Sequence, residues 1–472
     1  MTDDATLGKP AYDPATHSLP TWSERIEAFR SGEDRPSDYL ARCLATIAER
    51  EPVVQAWVTL NEPGAMAAAE DSDRRWKAGS PLSPIDGMPV GVKDLYMTRD
   101  MPTQMGSPLY AGRTTGEDSA CVQALRLAGA VVLGKTVTTE LGFSHPGPTT
   151  NPFDAARTPG GSSSGSAAAV GAGMVPAAIG SQVVGSVIRP AGFCANTAIK
   201  PTLGALHRGE RQGLSHSHLG VHAGGIADMW AVTHAIARLS GGDPGSPGLY
   251  GPEETPGATA PRRLIVVESE GWAQTDDATL AAFGRLLDSV AAAGVTLVRR
   301  RGHADLDAFE REIADSLLLC RDICGWELRW TLRNLAHKDV SKLSPSMRVR
   351  LELAEAMSVD DYRAALAKRE AMRTRFHAVA ATADAMITLS SAGPAPFMEG
   401  NSGKGEPGIT HTTGLPAFNA WTSAIGCPAV TVPMLAVGGM PVGVQIVGRH
   451  DEDWRTAGYA RWLKENMAAV VG

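Results

Sequence analysis

The chain has 472 residues, 43% hydrophobic and 20% charged, with a formal net charge of −7; this lies within the soluble globular range and accommodates two or three average domains, or one large α/β domain with an insertion. Charges are dispersed, and no basic run or aromatic–basic interleaving points to nucleic acid. No run of about 18 apolar residues is available for a membrane span, and the polar, acidic residues 1–20 lack the apolar stretch of a signal peptide, so a cytoplasmic protein with neither a nucleic-acid nor a membrane partner is expected.

The N-terminal part reads as helices. Residues 36–50 place Leu40, Cys43, Leu44 and Ile47 on one face at helical spacing, with Ser37 available as a cap. Residues 62–78, rich in Ala, acidic residues and Arg, form a second helix. The stretch PIDGMPVGVKDLYM then turns to β character and carries Lys93 near its end. A helix over 118–129 stops at a glycine, and AVVLGKT after it reads as a short buried strand.

The segment 158–204 is built largely from Gly, Ser and Ala. Small residues bury little apolar surface, so such a stretch makes a poor ordinary core. It does let backbone amides and hydroxyls approach a small molecule closely, which marks a site. Downstream, the strand RLIVVES, a capped helix over 275–294 and the strand VTLVRR give a βαβ rhythm, hence an α/β sheet covered by helices. Residues 241–261, rich in Gly and Pro, read as the one linker-like stretch. Residues 304–383 lose all strand signal and predict a helical excursion. DAMITLS, CPAVTVPML and MPVGVQIVG return to strands, with a Gly/Pro/Thr loop over 391–415 and a terminal helix from about residue 452. Six scattered cysteines (Cys43, Cys121, Cys194, Cys320, Cys324, Cys427) show no zinc spacing and read as reduced core thiols.

Three chemistries compete for the Gly/Ser segment. A phosphate cradle fails, because no Gly-Lys-Ser/Thr follows and Pro176 stands where the dinucleotide fingerprint needs Gly or Ala. A nucleophile elbow is formally matched by GSSSG, with Ser163 as nucleophile and a histidine such as His216 or His218 as partner. That motif must follow a buried strand, and NPFDAARTPG reads as a loop. The third joins two serines to a lysine: a serine hydroxyl needs a base, and lysine serves only when burial or neighbouring positive charge lowers its pKa from about 10.4. Lys93, behind an apolar Gly-rich stretch, is the candidate.

Here the chain resembles the amidase signature family, whose members hydrolyse amide-type bonds with a Ser–Ser–Lys triad. The resemblance runs from about residue 36 to 465 and is carried by GMPVGVKD, LRLAGAVVLGKTVTTELG, NPFDAARTPGGSSSGSAAAV, GSVIRPAGFCANTAIKPT and MPVGVQIVG. It implies one α/β domain over 1–472 with a large, mixed, twisted sheet covered by helices on both faces. Within it lie an N-terminal helical part (1–80), a catalytic core (85–240), the excursion (304–383) that shapes the pocket, and a return to the sheet (384–472). It also implies Ser186 as the acyl-forming nucleophile, Ser162 as a bridging serine behind a cis peptide bond, and Lys93 as the base. The backbone amides of Val183, Val184, Gly185 and Ser186 become the oxyanion hole, and no metal or organic cofactor is implied.

The chain departs from the family pattern at GSQVVGSVIRP. Gln182 replaces an aspartate, two valines replace smaller or hydroxylated residues, and Arg189 stands one place later than usual. Gln182 can hydrogen-bond Arg189, leaving Arg189 either to favour acyl groups bearing a carboxylate or carbonyl, or to brace the loop. The pocket walls are expected from 140–151, 304–383 and 398–421, with Phe143, Trp326, Trp330, Phe418 and Trp421 as aromatic candidates. The expected partner is a small amide, anilide, urea or carbamate, acted on by a monomer or homodimer. The family also includes ammonia-releasing subunits of the tRNA-dependent amidotransferase, and a non-catalytic binding protein on the same fold is a further alternative.

Overall fold

The computed structural model describes residues 12–209, 213–398 and 412–472. Its twelve strands are β1 Trp57–Leu60, β2 Pro89–Lys93, β3 Val131–Thr136, β4 Ala177–Gln182, β5 Thr197–Lys200, β6 His218–Ala223, β7 Arg263–Val266, β8 Thr296–Val298, β9 Ala385–Leu389, β10 Ala429–Val437, β11 Met440–Val447 and β12 Val470–Val471. They form one mixed sheet in the order β1-β3-β2-β4-β6-β5-β10-β11-β9-β7-β8, with β12 beside β10. Parallel pairs join β3, β2 and β4 at one end and β9, β7 and β8 at the other; the antiparallel centre is β4, β6, β5, β10, β11 and β9. The β10–β11 hairpin turns at Gly438 and Gly439, both with positive φ (56° and 71°). Two successive left-handed residues are what a two-residue hairpin of the right twist requires, and glycine meets that without a Cβ penalty.

Helices cover both faces. They are α1 Ile26–Ser31, α2 Pro36–Val54, α3 Glu62–Lys77, α4 Ala120–Leu127, α5 Ser164–Gly171, α6 Ile188–Phe193, α7 Ile226–Ser240, α8 Asp277–Ala292, α9 Ala304–Ile313, α10 Ser316–Asp339, α11 Pro345–Glu355, α12 Val359–Ala380, α13 Ala420–Ile425 and α14 Asp453–Asn466. Alternate strand residues feed separate cores, as the two-residue period of a strand demands. Leu264, Val266, Ile387 and Ile446 join the cluster under α7, α8 and α14. Ile265, Met386 and Val447 join the cluster under α9, α10, α12 and α13. Four helices, α9 to α12, follow one another between β8 and β9 with no strand among them. No helix among the described residues is long and apolar enough to cross a membrane.

Three local expectations are corrected. The helix over 36–54 begins at Pro36 with Arg35 as its N-cap residue, and Ser37 instead bonds Asp73, its hydroxyl donating to Oδ2 at 2.5 Å. The segment 241–261 is irregular and mostly exposed, but it is not a free linker, being anchored at two points: the indole N–H of Trp230 donates to Pro252 O and that of Trp454 to Glu254 O. The Gly/Ser/Ala segment is core after all, because every residue of α5 and β4 is buried. Small size is what admits them: a Cβ on Gly165 would lie 2.3 Å from both Ala56 O and Val137 N. Close backbone approach here replaces large side chains as the means of filling space.

Candidate active site

Lys93 closes β2, whose parallel neighbour β4 pairs Val92 with Ile179. That register sets the lysine beside the end of β4, where Ser181 and Gln182 stand. The chain then turns through 183–187 into α6, while Ser162 and Ser163 precede α5. The peptide between Gly161 and Ser162 is cis. Ser163 N–H donates to Ser186 O at 3.3 Å, tying the two serine segments together.

Lys93 is fully buried. Its Nζ lies 2.7 Å from Ser162 Oγ, 2.9 Å from Ser163 Oγ, 3.0 Å from Ser181 Oγ and 3.3 Å from Ser181 O. No carboxylate among the described residues shares this set: the adjacent Asp94 pairs with Lys135 at 2.9 Å. Burial lowers the Lys93 ammonium well below its ordinary value, because taking the charge from water is uncompensated by an opposite charge. Ser181 is a partner that sequence reasoning missed, because β4 is buried throughout and offers no period from which its end could be read.

Ser163 is fully buried beside the lysine, accepting from Lys93 and from Ser181 N–H at 3.2 Å and donating to Ser181 O. His216 and His218 are elsewhere: Nε2 of His216 is 3.2 Å from Cys324 Sγ, and Nδ1 of His218 is 3.3 Å from Gln182 O. The elbow arrangement is therefore not assembled. His222, buried behind Lys93, is pushed down to about 3 by burial and then by the lysine.

Ser162 and Ser186 line one cavity of ≈ 50 Å³ together with Val183, Val184, Gly185 and Arg189. The N–H groups of Val183, Val184, Gly185 and Ser186 donate to no other described residue. Gln182 takes the next two amides: its Oε1 accepts from Val187 N–H at 2.9 Å and Ile188 N–H at 3.0 Å. Its Nε2 donates to Ser423 Oγ, which donates to Val184 O. Gln182 thus holds the turn from both sides and does not bond Arg189. Arg189 donates through Nη2 to Gly161 O at 2.6 Å and Thr413 Oγ1 at 3.1 Å, bracing the Ser162 loop. Burial brings its pKa down to about 9, so it stays charged at neutral pH.

The facing wall comes from the long helices. Leu317, Cys320, Arg321 and Cys324 lie at i, i+3, i+4 and i+7 on α10, one face of the helix, and Arg350 of α11 and Phe143 complete it. Cys320 and Cys324 are thus cavity-wall thiols, not simply core ones. Of the five aromatic candidates only Phe143 is on the cavity, with Arg350 4.8 Å above its ring. Trp421 is buried against Phe309 and Phe376, and Phe418 is buried beside Trp272. Trp326 stacks on Tyr362, and Trp330 is exposed. Residues 399–411 of the expected 398–421 wall lie outside the described residues. Larger grooves of ≈ 700 Å³ and ≈ 650 Å³ flank the N-terminal residues and contain neither Lys93, Ser162 nor Ser186.

A family model described as Amidase matches residues 38–456. Among curated proteins the chain is similar to the A subunit of glutamyl-tRNA(Gln) amidotransferase from Chloroflexus aggregans (strain MD-66 / DSM 9485). The two are 38% identical over 248 residues, which make up 51% of this chain and 50% of that protein. The chain therefore spans about half the length of the curated relatives it matches. Among solved structures it is similar to one described as an amidase, with TM-score 0.81 and 26% identity over 95% of this chain and 100% of that one. A structure of 6-aminohexanoate cyclic dimer hydrolase shares the fold, with TM-score 0.80 and 22% identity over 94% and 96% of the two chains.

Proposed function

The chain belongs to the Amidase family, and from that premise we propose that it is a serine hydrolase of a C–N bond, forming an acyl-enzyme at Ser186 with Ser162 as relay and neutral Lys93 as base. The observation that carries this reading is the Lys93 cluster: a lysine with hydroxyl and carbonyl partners only, stripped of water, behind a cavity shared by both serines.

In the reaction, Lys93 takes the Ser162 proton as Ser162 takes that of Ser186, whose oxygen forms a bond to the substrate carbonyl carbon. Charge gathers on the carbonyl oxygen, within reach of the open amides at 183–186, each such donor supplying about 3 kcal/mol in a typical oxyanion hole. The proton returns through Ser162 to the nitrogen as the C–N bond breaks and the amine leaves. Water then attacks the ester by the same relay, the acid departs, and Ser186 recovers its proton. Amides, anilides, ureas and carbamates all present the trigonal carbonyl this needs.

The test is covalent labelling by a fluorophosphonate with a product screen across those four classes. Labelling at Ser186, lost in Ser186→Ala together with all hydrolysis, is expected. A Ser186→Ala protein that still turns substrate over would falsify the assignment. The name borne by the curated relatives favours a second reading, in which the chain releases ammonia for a partner within an amidotransferase. Turnover by the purified chain alone decides between them.

A further inference from the structure

Val183, Val184, Gly185 and Ser186 form the turn that lines the cavity, and the aim of each N–H depends on what holds the carbonyl of the same peptide. In a trans peptide the C=O and the following N–H share a plane and point in opposite directions. The peptides of this turn are trans, since the one cis bond among the described residues is Gly161–Ser162. Three of the four carbonyls are held. Gln182 O faces Nδ1 of His218 in β6 at 3.3 Å, Val184 O accepts from Ser423 Oγ in α13 at 2.9 Å, and Gly185 O accepts from Arg189 N–H at 3.2 Å. Ser423 and His218 are buried and do not line the cavity, so they grip the turn from behind and leave the Gly185 and Val183 amides aimed to the front.

The direction of each link is fixed by its atoms. Two N–H donors occupy Gln182 Oε1, which leaves Nε2 as the atom 3.0 Å from Ser423 Oγ. An amide nitrogen only donates, so the single hydroxyl proton goes to Val184 O; a carbonyl only accepts, so His218 carries its proton on Nδ1. Glycine at 185 lets the segment entering α13 press against the turn, because a Cβ there would lie 2.8 Å from both Asn419 Oδ1 and Pro416 Cβ. Resting on the proposed hydrolase reading, we infer that Ser423, seconded by His218, is a positioning residue for the reaction. Neither reaches the substrate; they hold the Gly185 and Val183 amides toward the carbonyl oxygen on which charge gathers. Donors fixed in advance stabilise that charge because none has to turn as it forms.

Ser423→Ala removes the grip and Ser423→Thr keeps the hydroxyl. With thermal midpoints measured alongside, kcat and the rate of fluorophosphonate labelling should both fall roughly 10- to 100-fold in the alanine variant, with KM little changed, and recover in the threonine variant. His218→Leu and His218→Asn repeat the contrast should Ser423→Ala not fold, since the asparagine amide can replace Nδ1–H. The ³¹P resonance of phosphonylated Ser186, whose phosphoryl oxygen takes the place of the oxyanion, should move in Ser423→Ala and return in Ser423→Thr. A folded Ser423→Ala protein that labels and turns over within about twofold of the parent, or alanine and threonine variants equally impaired, overturns the inference and leaves the hydrolase reading standing. If the parent neither labels nor hydrolyses, the hydrolase reading falls and the Gly185 amide resonance decides on the geometry. Displaced in Ser423→Ala and restored in Ser423→Thr, it upholds the grip; unmoved, it sinks it.

Discussion

Lys93 and Lys135 are both fully buried and sit on neighbouring strands, yet their partners give them opposite characters. Lys135 meets Asp94 at 2.9 Å and also donates to Thr103 Oγ1. Lys93 meets hydroxyls and a carbonyl. Burial lowers the pKa of both, but at Lys135 the Asp94 charge opposes it and holds a structural cation, whereas at Lys93 no opposite charge does and the proton is lost more readily. Activity should therefore rise with pH as Lys93 deprotonates, with the acid limb of the kcat/KM profile well below lysine's ordinary 10.5. Lys93→Arg, charged at every accessible pH, should lower kcat by about 10²- to 10⁴-fold, and a profile unchanged in shape would refute lysine as the base. Lys135→Met should instead act on stability, leaving Asp94 buried without its cation at a cost of about 3–5 kcal/mol in urea unfolding.

Glycine positions carry the element-scale argument. Gly165 in α5 faces Ala56 O and Val137 N, backbone atoms that cannot rotate away. Gly165→Ala should destabilise by at least about 1–3 kcal/mol. A Cβ added at Gly284 in α8 would meet nothing within 4 Å, so Gly284→Ala should stabilise by about 0.5–1 kcal/mol. Urea midpoints of the two variants moving the same way would contradict this account of the packing. The same contrast explains what could be read from the chain. Strands rich in Val and Ile, and α8 with Asp276 capping it, declare themselves through periodicity and end signals. SGSAAAVG and AAIGSQ are buried all round, so no polar face exists to set a period, and neither α5 nor β4 was legible. On α10 the cavity face at 317, 320, 321 and 324 was present as helical spacing, but Trp326 and Trp330 stood out as large aromatics; they pack against Tyr362 and face solvent, respectively.

Over the whole molecule, the α/β class followed from the βαβ rhythm, but strand order did not. Neighbours such as β5 and β10, or β4 and β6, are antiparallel pairs joined across long stretches of chain, and no local pattern encodes which edges meet. The site was legible in the same uneven way. The resemblance named Lys93, Ser162 and Ser186, which the fold brings to one place, whereas Gln182 was assigned the wrong partner. From the sequence its nearest charged neighbour was Arg189; in the fold the closer demand was two amides at the start of α6.

One arrangement reaches beyond the reaction itself. The lysine and both serines lie between residues 93 and 186, on strands and turns packed into the core, while the cavity wall opposite them comes from α10 and α11, a separate run of chain laid over the sheet. In the proposed reading, the reacting groups and one wall of the cavity are thus written in different passages of the polypeptide. A substitution at Leu317 or Arg321 would therefore reshape the cavity without touching the proposed relay, so the two functions can be probed one at a time.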